Sequence, residues 1–227
     1  MAVKVKEQKI KLDRSLVIGA AFDVVDHDGL DALTIRHLAA QLGVTPMALY
    51  WHFADKQALI DALVDHMWSD AQHHLESGAV LAQPVEEMQR KIRALVAAFR
   101  EHPTLAALAP MRVIECEAGR DLTEGALSVL SQLGLSARQS AFAARMALTS
   151  AIMLVSTQPG VEFPDDASRD ELMRTKGAAL AALPPQRYPF LIAAGPDLLD
   201  CEDTEDYYSS GIEMILAGVI AASAAVG

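Results

Sequence analysis

The side chains of this chain best suited to recognition chemistry gather in one window, Leu33 to Lys56. At its centre Thr45, Pro46, Met47 and Ala48 offer one hydroxyl among three apolar groups. A hydroxyl can hydrogen-bond a base edge, and apolar groups suit the thymine methyl in a major groove. The guanidinium of Arg36 matches guanine O6 and N7. Thr34, Tyr50, His52 and Lys56 carry the donors that hold phosphates, which fix register without reading sequence. Trp51 has two readings, a ring packed along the sugar-phosphate backbone or an anchor for its own helix.

Two short helices must position these groups. Thr34 is a helix-capping residue type, and Leu42-Gly43 is the matching end. Thr45 followed by Pro46 pairs a cap with a proline at the first helical position. Leu38, Ala39, Leu42, Val44 and Leu49 can form a small shared core, and Ala39 leaves room for a close crossing. This is the layout of a helix-turn-helix, whose second helix enters the major groove. A plain helical hairpin would carry the same pattern.

The rest of the chain also reads as helix, so the fold class expected is all-α. Asp13 caps a first helix whose apolar positions Val17, Ala20, Ala21, Val24 and Val25 follow helical spacing, widened by Ile18 and Phe22, with Gly29 where a left-handed C-terminal cap would fall. Asp55 opens a helix towards His74. Pro84 opens another through about Arg100, broken at His102-Pro103. Ser136-Ala-Arg-Gln139 is a capping box before a long apolar helix that Pro159-Gly160 stops. Ser168-Arg-Asp-Glu171 reads as a second capping box. Pro184, Pro185, Pro189, Gly195 and Pro196 make residues 184–197 read as a broken, loop-rich connection. The acidic run Glu202 to Asp206 suits the positive end of a last helix. The division expected is a helix-turn-helix domain over residues 1–66 and a larger helical domain over 67–227. A linker near 75–84 is bracketed by Gly78 and Pro84.

The window then becomes specific. Leu33-Thr34, Leu38-Ala39, Leu42-Gly43-Val44 and Leu49-Tyr50-Trp51-His52-Phe53, followed by Lys56 and Leu59, resemble the DNA-binding domain of the tetracycline-repressor (TetR) family over roughly residues 12–66. Ala21-Phe22 and Gly29 fit its first helix. Tyr207-Tyr208-x-x-Gly211-Ile212-x-x-Ile215-Leu216-x-Gly218 is similar to the final helix of the subgroup nearest the tetracycline repressors, and Leu12-Asp13-Arg14 to that subgroup's opening. The resemblance implies an all-α ligand-binding domain, a homodimer, a double-stranded DNA operator and a small-molecule effector that releases it. The tetracycline repressors hold drug and magnesium through histidines in that domain. The corresponding position on the fourth helix is Gln72, with His73 and His74 just after it, so tetracycline itself is not implied.

The charge balance at first opposes a nucleic-acid partner. The net charge is −11, and a basic face is the usual footprint of DNA binding. By region the picture changes. Residues 1–66 hold seven basic against nine acidic side chains, a net −2, and residues 1–14 hold five against two. Lys4, Lys6, Lys9, Lys11 and Arg14 thus make a basic arm beside Arg36 and Lys56. Asp23, Asp26, Asp28 and Asp31 are expected to face away from DNA.

Helices at about 136–157 and 205–224 are apolar around most of their circumference, with Gly211, Gly218, Ala221 and Ala222 on the second. They suit a four-helix interface in a twofold dimer, although burial within one chain would give the same pattern. Trp68, Gln72, Phe99, His102, Met111, Arg112, Phe142, Met146, Thr149 and Met153 are the candidates to line an effector pocket. Arg112 sits among Leu108, Met111, Val113 and Ile114 and needs an anion from Glu115, Glu117 or solvent. His66, His73, His74 and His102 lie near the domain junction, but no carboxylate triad or cysteine pair completes a metal site in the sequence. No metal, no cofactor and no catalytic motif is expected, so the chain reads as a non-enzyme. Cys116 and Cys201 read as reduced thiols of a cytoplasmic protein, and no segment is long and apolar enough to span a membrane. The competing reading is an all-helical small-molecule binder or enzyme with no DNA role.

Overall fold

The computed structural model describes residues 12–76, 83–158, 166–199 and 203–224. The described residues form helices and no strand. In order they are α1 (Arg14–Asp28), a 3₁₀ turn (Leu30–Ala32), α2 (Ile35–Gln41), α3 (Pro46–Tyr50), α4 (Lys56–Glu76) and α5 (Pro84–Glu101). There follow α6 (Pro103–Ala106), α7 (Ala109–Arg112), α8 (Glu117–Gln132), α9 (Ala137–Ser156), α10 (Asp166–Ala181), α11 (Pro189–Leu199) and α12 (Thr204–Ala224). The all-α expectation holds.

Local chemistry sets most helix ends. The Asp13 carboxylate accepts the Leu16 N–H at 2.9 Å, and Thr34 Oγ1 accepts that of His37 at 3.1 Å. Asp55 accepts the Ala58 N–H at 2.8 Å. The capping box at Ser136 is present in both halves. Gly43 has φ +66°, and the N–H groups of Gly43 and Val44 close back on Ala40 and Ala39 at 3.2 and 2.9 Å. That is a Schellman ending, which leaves α2 and α3 separated by one tight turn. Gly29 has φ 82° and ψ 166°. This lies outside the left-handed helical cap expected there, in a region almost closed to residues with a Cβ.

Two sequence expectations give way, and one helix lay outside them. α8 was not foreseen, because its N-cap is Cys116, whose Sγ accepts the Gly119 N–H at 3.3 Å in place of a usual hydroxyl or carboxylate. Ser168 does not open a helix, since α10 already starts at Asp166. Residues 189–199 are helical rather than a broken connection. Pro189 occupies the first turn, where no N–H is missed, and Gly195 is buried against Leu180 of α10, where a Cβ would collide. The expected stop at Pro159-Gly160, the linker glycine Gly78, Cys201 and the basic-arm lysines lie outside the described residues.

A single apolar cluster runs from α1 to α12. α4 threads through it, burying Leu59 and Leu63 at one end and Met67, Trp68 and Ala71 further along. It packs against α1 and also against α5, α7 and α8, and it crosses residue 66 without a break. Burying each such side chain stabilises the fold by roughly 1.5–3 kcal/mol, so α4 is fastened at both ends.

Candidate nucleic-acid interface and effector cavity

The inner side of the helix-turn-helix is closed. Leu38, Leu49 and Leu59 are fully buried, and Ala39 and Phe53 nearly so. The outer side is open. Thr34, Arg36, Thr45 and Pro46 are exposed and Ala48 is half-buried. Met47, Tyr50 and Trp51 are 67%, 49% and 85% exposed. A tryptophan left this bare is not anchoring its own helix. It forgoes burial that the fold could have used, and such patches mark contact surfaces. Thr45 makes no side-chain cap to α3, which leaves its hydroxyl to the surface.

Two predicted phosphate-contacting residues also have structural work. Lys56 Nζ donates to the Leu30 carbonyl at 3.2 Å, tying α4 to the turn after α1. His52 is half-buried and its carbonyl accepts from Arg14 Nη1 at 2.9 Å, while the Arg14 guanidinium sits 4.3 Å from the Phe53 ring centroid. Arg14, assigned from sequence only to the basic arm, therefore braces the end of α3 against α1.

At the junction between α1 and the following helices two of the predicted pocket residues are engaged within the chain. His102 packs on α1 and does not border the cavity described below. Its Nδ1 lies 2.9 Å from Asp26 Oδ2, and its ring stacks on Phe22 with centroids 3.8 Å apart. Arg112 finds its anions on α4 rather than at Glu115 or Glu117. Nε and Nη2 donate to the two Asp65 oxygens at 2.9 and 3.0 Å, and Nη1 lies 3.5 Å from Asp61. Asp65 holds the Arg112 pKa above its ordinary value, against the opposing effect of burial. The spacing gave no hint of a carboxylate group here, yet Asp70, Glu101 and His102 bring ligand-type atoms within 4.8 Å of one another. All three are engaged already, His102 with Asp26, Glu101 with His74 at 2.8 Å and Asp70 with His66 at 3.8 Å.

A cavity of about 480 Å³ lies among α4, α5, α7, α8 and α9. Trp68, Leu95, Leu122, Leu127, Leu148 and Thr149 are among its walls. Only Trp68 and Thr149 of the ten predicted lining residues border it. Phe99 is fully buried, edge-on to Trp68 with centroids 6.2 Å apart, so it is core. Gln72 hydrogen-bonds Glu76 along α4 at 3.1 Å. Met111 is 66% exposed. Helical spacing put these residues on the right elements without fixing which way each element turns. Arg145, which the sequence reading did not single out, lines the cavity.

Phe142 and Met146 line a groove of about 810 Å³ between α9 and α12, together with Met214, Gly218 and Ala222. Phe142, Met153 and Met214 are 69%, 51% and 75% exposed. The two helix glycines separate in role. Gly211 meets Leu154 within the chain, whereas Gly218 has nothing within 4 Å and faces the groove. Arg100 fastens the start of α12, bonding Glu205 at 2.5 Å and lying 4.0 Å from the Tyr208 ring centroid. No helix of the described residues is long and apolar enough to cross a membrane.

Comparison with known proteins agrees with this geometry. Residues 17–63 match the model of bacterial regulatory proteins of the tetR family, and residues 82–222 match that of the tetracyclin repressor-like C-terminal domain. The class D tetracycline repressor of Escherichia coli is 29% identical over 214 residues, which cover 92% of this chain and 89% of that one. The class A repressor from transposon 1721, also of Escherichia coli, is 48% identical over 64 residues, 28% of this chain and 30% of its own length. Apo ActR from Streptomyces coelicolor shares the fold, with a TM-score of 0.72 at 23% identity over 95% of this chain and 98% of that one. The groove reader at one end and the helical cavity at the other are the two halves of one architecture, and the chain belongs to the tetR family of bacterial regulatory proteins.

Proposed function

We propose that this chain is a ligand-responsive transcriptional repressor of the cytoplasm. It binds a palindromic operator as a homodimer through residues 1–66, and a small molecule taken up by residues 67–227 releases it. The observation that carries this reading is the outer side of the helix-turn-helix, where Met47, Tyr50 and Trp51 stand bare beside Arg36 and Thr45. Thr45, Pro46, Met47 and Ala48 meet base edges, and Arg36 reaches guanine. Thr34, Tyr50, Trp51, His52 and Lys56 hold the backbone. No catalytic role is assigned.

The groove between α9 and α12 is the surface for the second copy. A twofold axis there sets two reading helices about one DNA turn apart, which suits a palindrome. α4 is the link between the sites. It starts at Lys56, which bonds the turn after α1, and Trp68 on the same helix borders the cavity. Arg112 grips Asp61 and Asp65 between those points. A ligand that favours one placement of α4 changes the separation of the reading heads, and DNA must lower ligand affinity by the same factor.

Selection from random duplexes tests the reading. The full chain should enrich one palindrome, with affinity that falls steeply as salt rises. Enrichment of no sequence would contradict it.

A further inference from the structure

The effector of the proposed repressor is unnamed, but the cavity that would take it has a definite chemistry. Its volume of about 480 Å³ falls in the range of small-molecule pockets, roughly 300–1,000 Å³. Its walls are mostly aliphatic, with one aromatic face from Trp68. The Trp68 indole N–H is already donated to the Ala109 carbonyl at 3.1 Å, so this residue offers an occupant its ring and no donor. The polar side chains of the wall are Thr123, Thr149 and Arg145. Among the described residues no carboxylate and no histidine lines the cavity.

That inventory is asymmetric in charge. Guanidinium keeps its proton throughout the accessible pH range and donates in a fork that fits two oxygens of one acid group. Among the described residues Arg145 has no ion-pair partner. It borders both the cavity and the groove between α9 and α12, which places its charge at the rim, with the aliphatic walls and Trp68 deeper in. A cationic occupant would find no counterion, and burying an unpaired charge is strongly unfavourable. A neutral occupant would use the walls and leave the guanidinium idle.

We propose that the cavity takes a flat apolar molecule bearing one anionic group, such as a carboxylate, sulfonate or ionised phenol. The ring body lies against Trp68 and the charge on Arg145. This rests on the reading of the cavity as the effector site.

The test uses the full chain carrying Trp51→Phe, which leaves Trp68 as the reporter, since the sequence holds two tryptophans. Two probes share one ring skeleton, anilinonaphthalene sulfonate with the charge and phenylnaphthylamine without it. Each is titrated by energy transfer from Trp68. The sulfonate should bind about tenfold more tightly than the neutral probe, the scale of one charge-assisted hydrogen-bonded pair. Arg145→Gln should abolish that preference and leave the neutral probe within about twofold. Thr149→Phe, at an exposed wall position, should exclude both. Equal affinities, or a preference that survives Arg145→Gln, would overturn the anionic class while the cavity reading stands. Absence of energy transfer with either probe, or binding indifferent to Thr149→Phe, would overturn the cavity reading and the proposal with it.

Discussion

Two of the apolar surfaces that the described residues expose, one around α3 and one along α9 and α12, differ in what surrounds the apolar groups. Met47, Tyr50 and Trp51 sit among side chains that donate hydrogen bonds, Arg36, Thr45 and Thr34, on a helix of five residues. Phe142, Met146 and Met214 sit on helices of 20 and 21 residues beside Gly218 and Ala222. A short, donor-fringed knob fits a groove lined by acceptors. A long face with small residues lets another helix pair approach closely. Exposure alone says that something binds, and the flanking residues say what kind of thing.

The largest effect should come from charging the second surface. Met214→Asp leaves the monomer fold intact, because the side chain is 75% exposed. It puts a carboxylate into the helix pair of the dimer, where burial without a partner is costly. Light scattering should show monomers, and operator affinity should fall by about 100-fold or more, towards non-specific binding. A dimer of unchanged affinity would break the division between the two surfaces.

Next in size is Arg36→Ala. It should cost about 1–3 kcal/mol and relax specificity at one base pair in each half-site. Lys56→Ala should weaken all duplexes about equally. It should also lower the unfolding free energy by about 1 kcal/mol, because Nζ bonds the Leu30 carbonyl. Binding to a panel of single-base operator variants, with urea unfolding alongside, separates the two. Equal relaxation of specificity by both would contradict their roles.

A smaller effect is expected at the link. Arg112→Gln removes the bidentate contact with Asp65, and the partial exposure of the pair limits the loss to about 1 kcal/mol in urea unfolding. Its larger consequence should be functional, with release of operator by an effector blunted while operator affinity alone changes little. The smallest effect belongs to Glu205. Its pair with Arg100 holds its carboxyl below the ordinary range. A depressed carboxyl contributes stability that is present above the ordinary carboxylate value and is lost as pH falls through the lowered one. The melting temperature of Glu205→Gln should therefore lie slightly below that of the parent at neutral pH and meet it on acidification. A difference that grows in acid would contradict the assignment.

What could be read in the sequence was what is local. Asp13, Thr34, Asp55 and Ser136 cap helices within a few residues of themselves, and Gly43 ends α2 within one turn. The first surface lies inside one such stretch, so its residues were legible by spacing. The cavity was not. Its walls come from five helices, and Phe99 on α5 and Thr149 on α9, both predicted to line it, end up in the core and on a wall. The partners of His102 and Arg112 lie 76 and 47 residues away, a distance no periodicity reports. α8 escaped because a thiol caps it, and α11 because Pro189 falls in the first turn, where a helix tolerates it, and the helix continues past Pro196.

The most direct measurement is the stoichiometry and symmetry of the complex with the selected duplex, by sedimentation and footprinting. The account predicts two chains per duplex, protecting two inverted half-sites centred about one helical turn, roughly 10–10.5 base pairs, apart. One chain bound to an asymmetric site would contradict it.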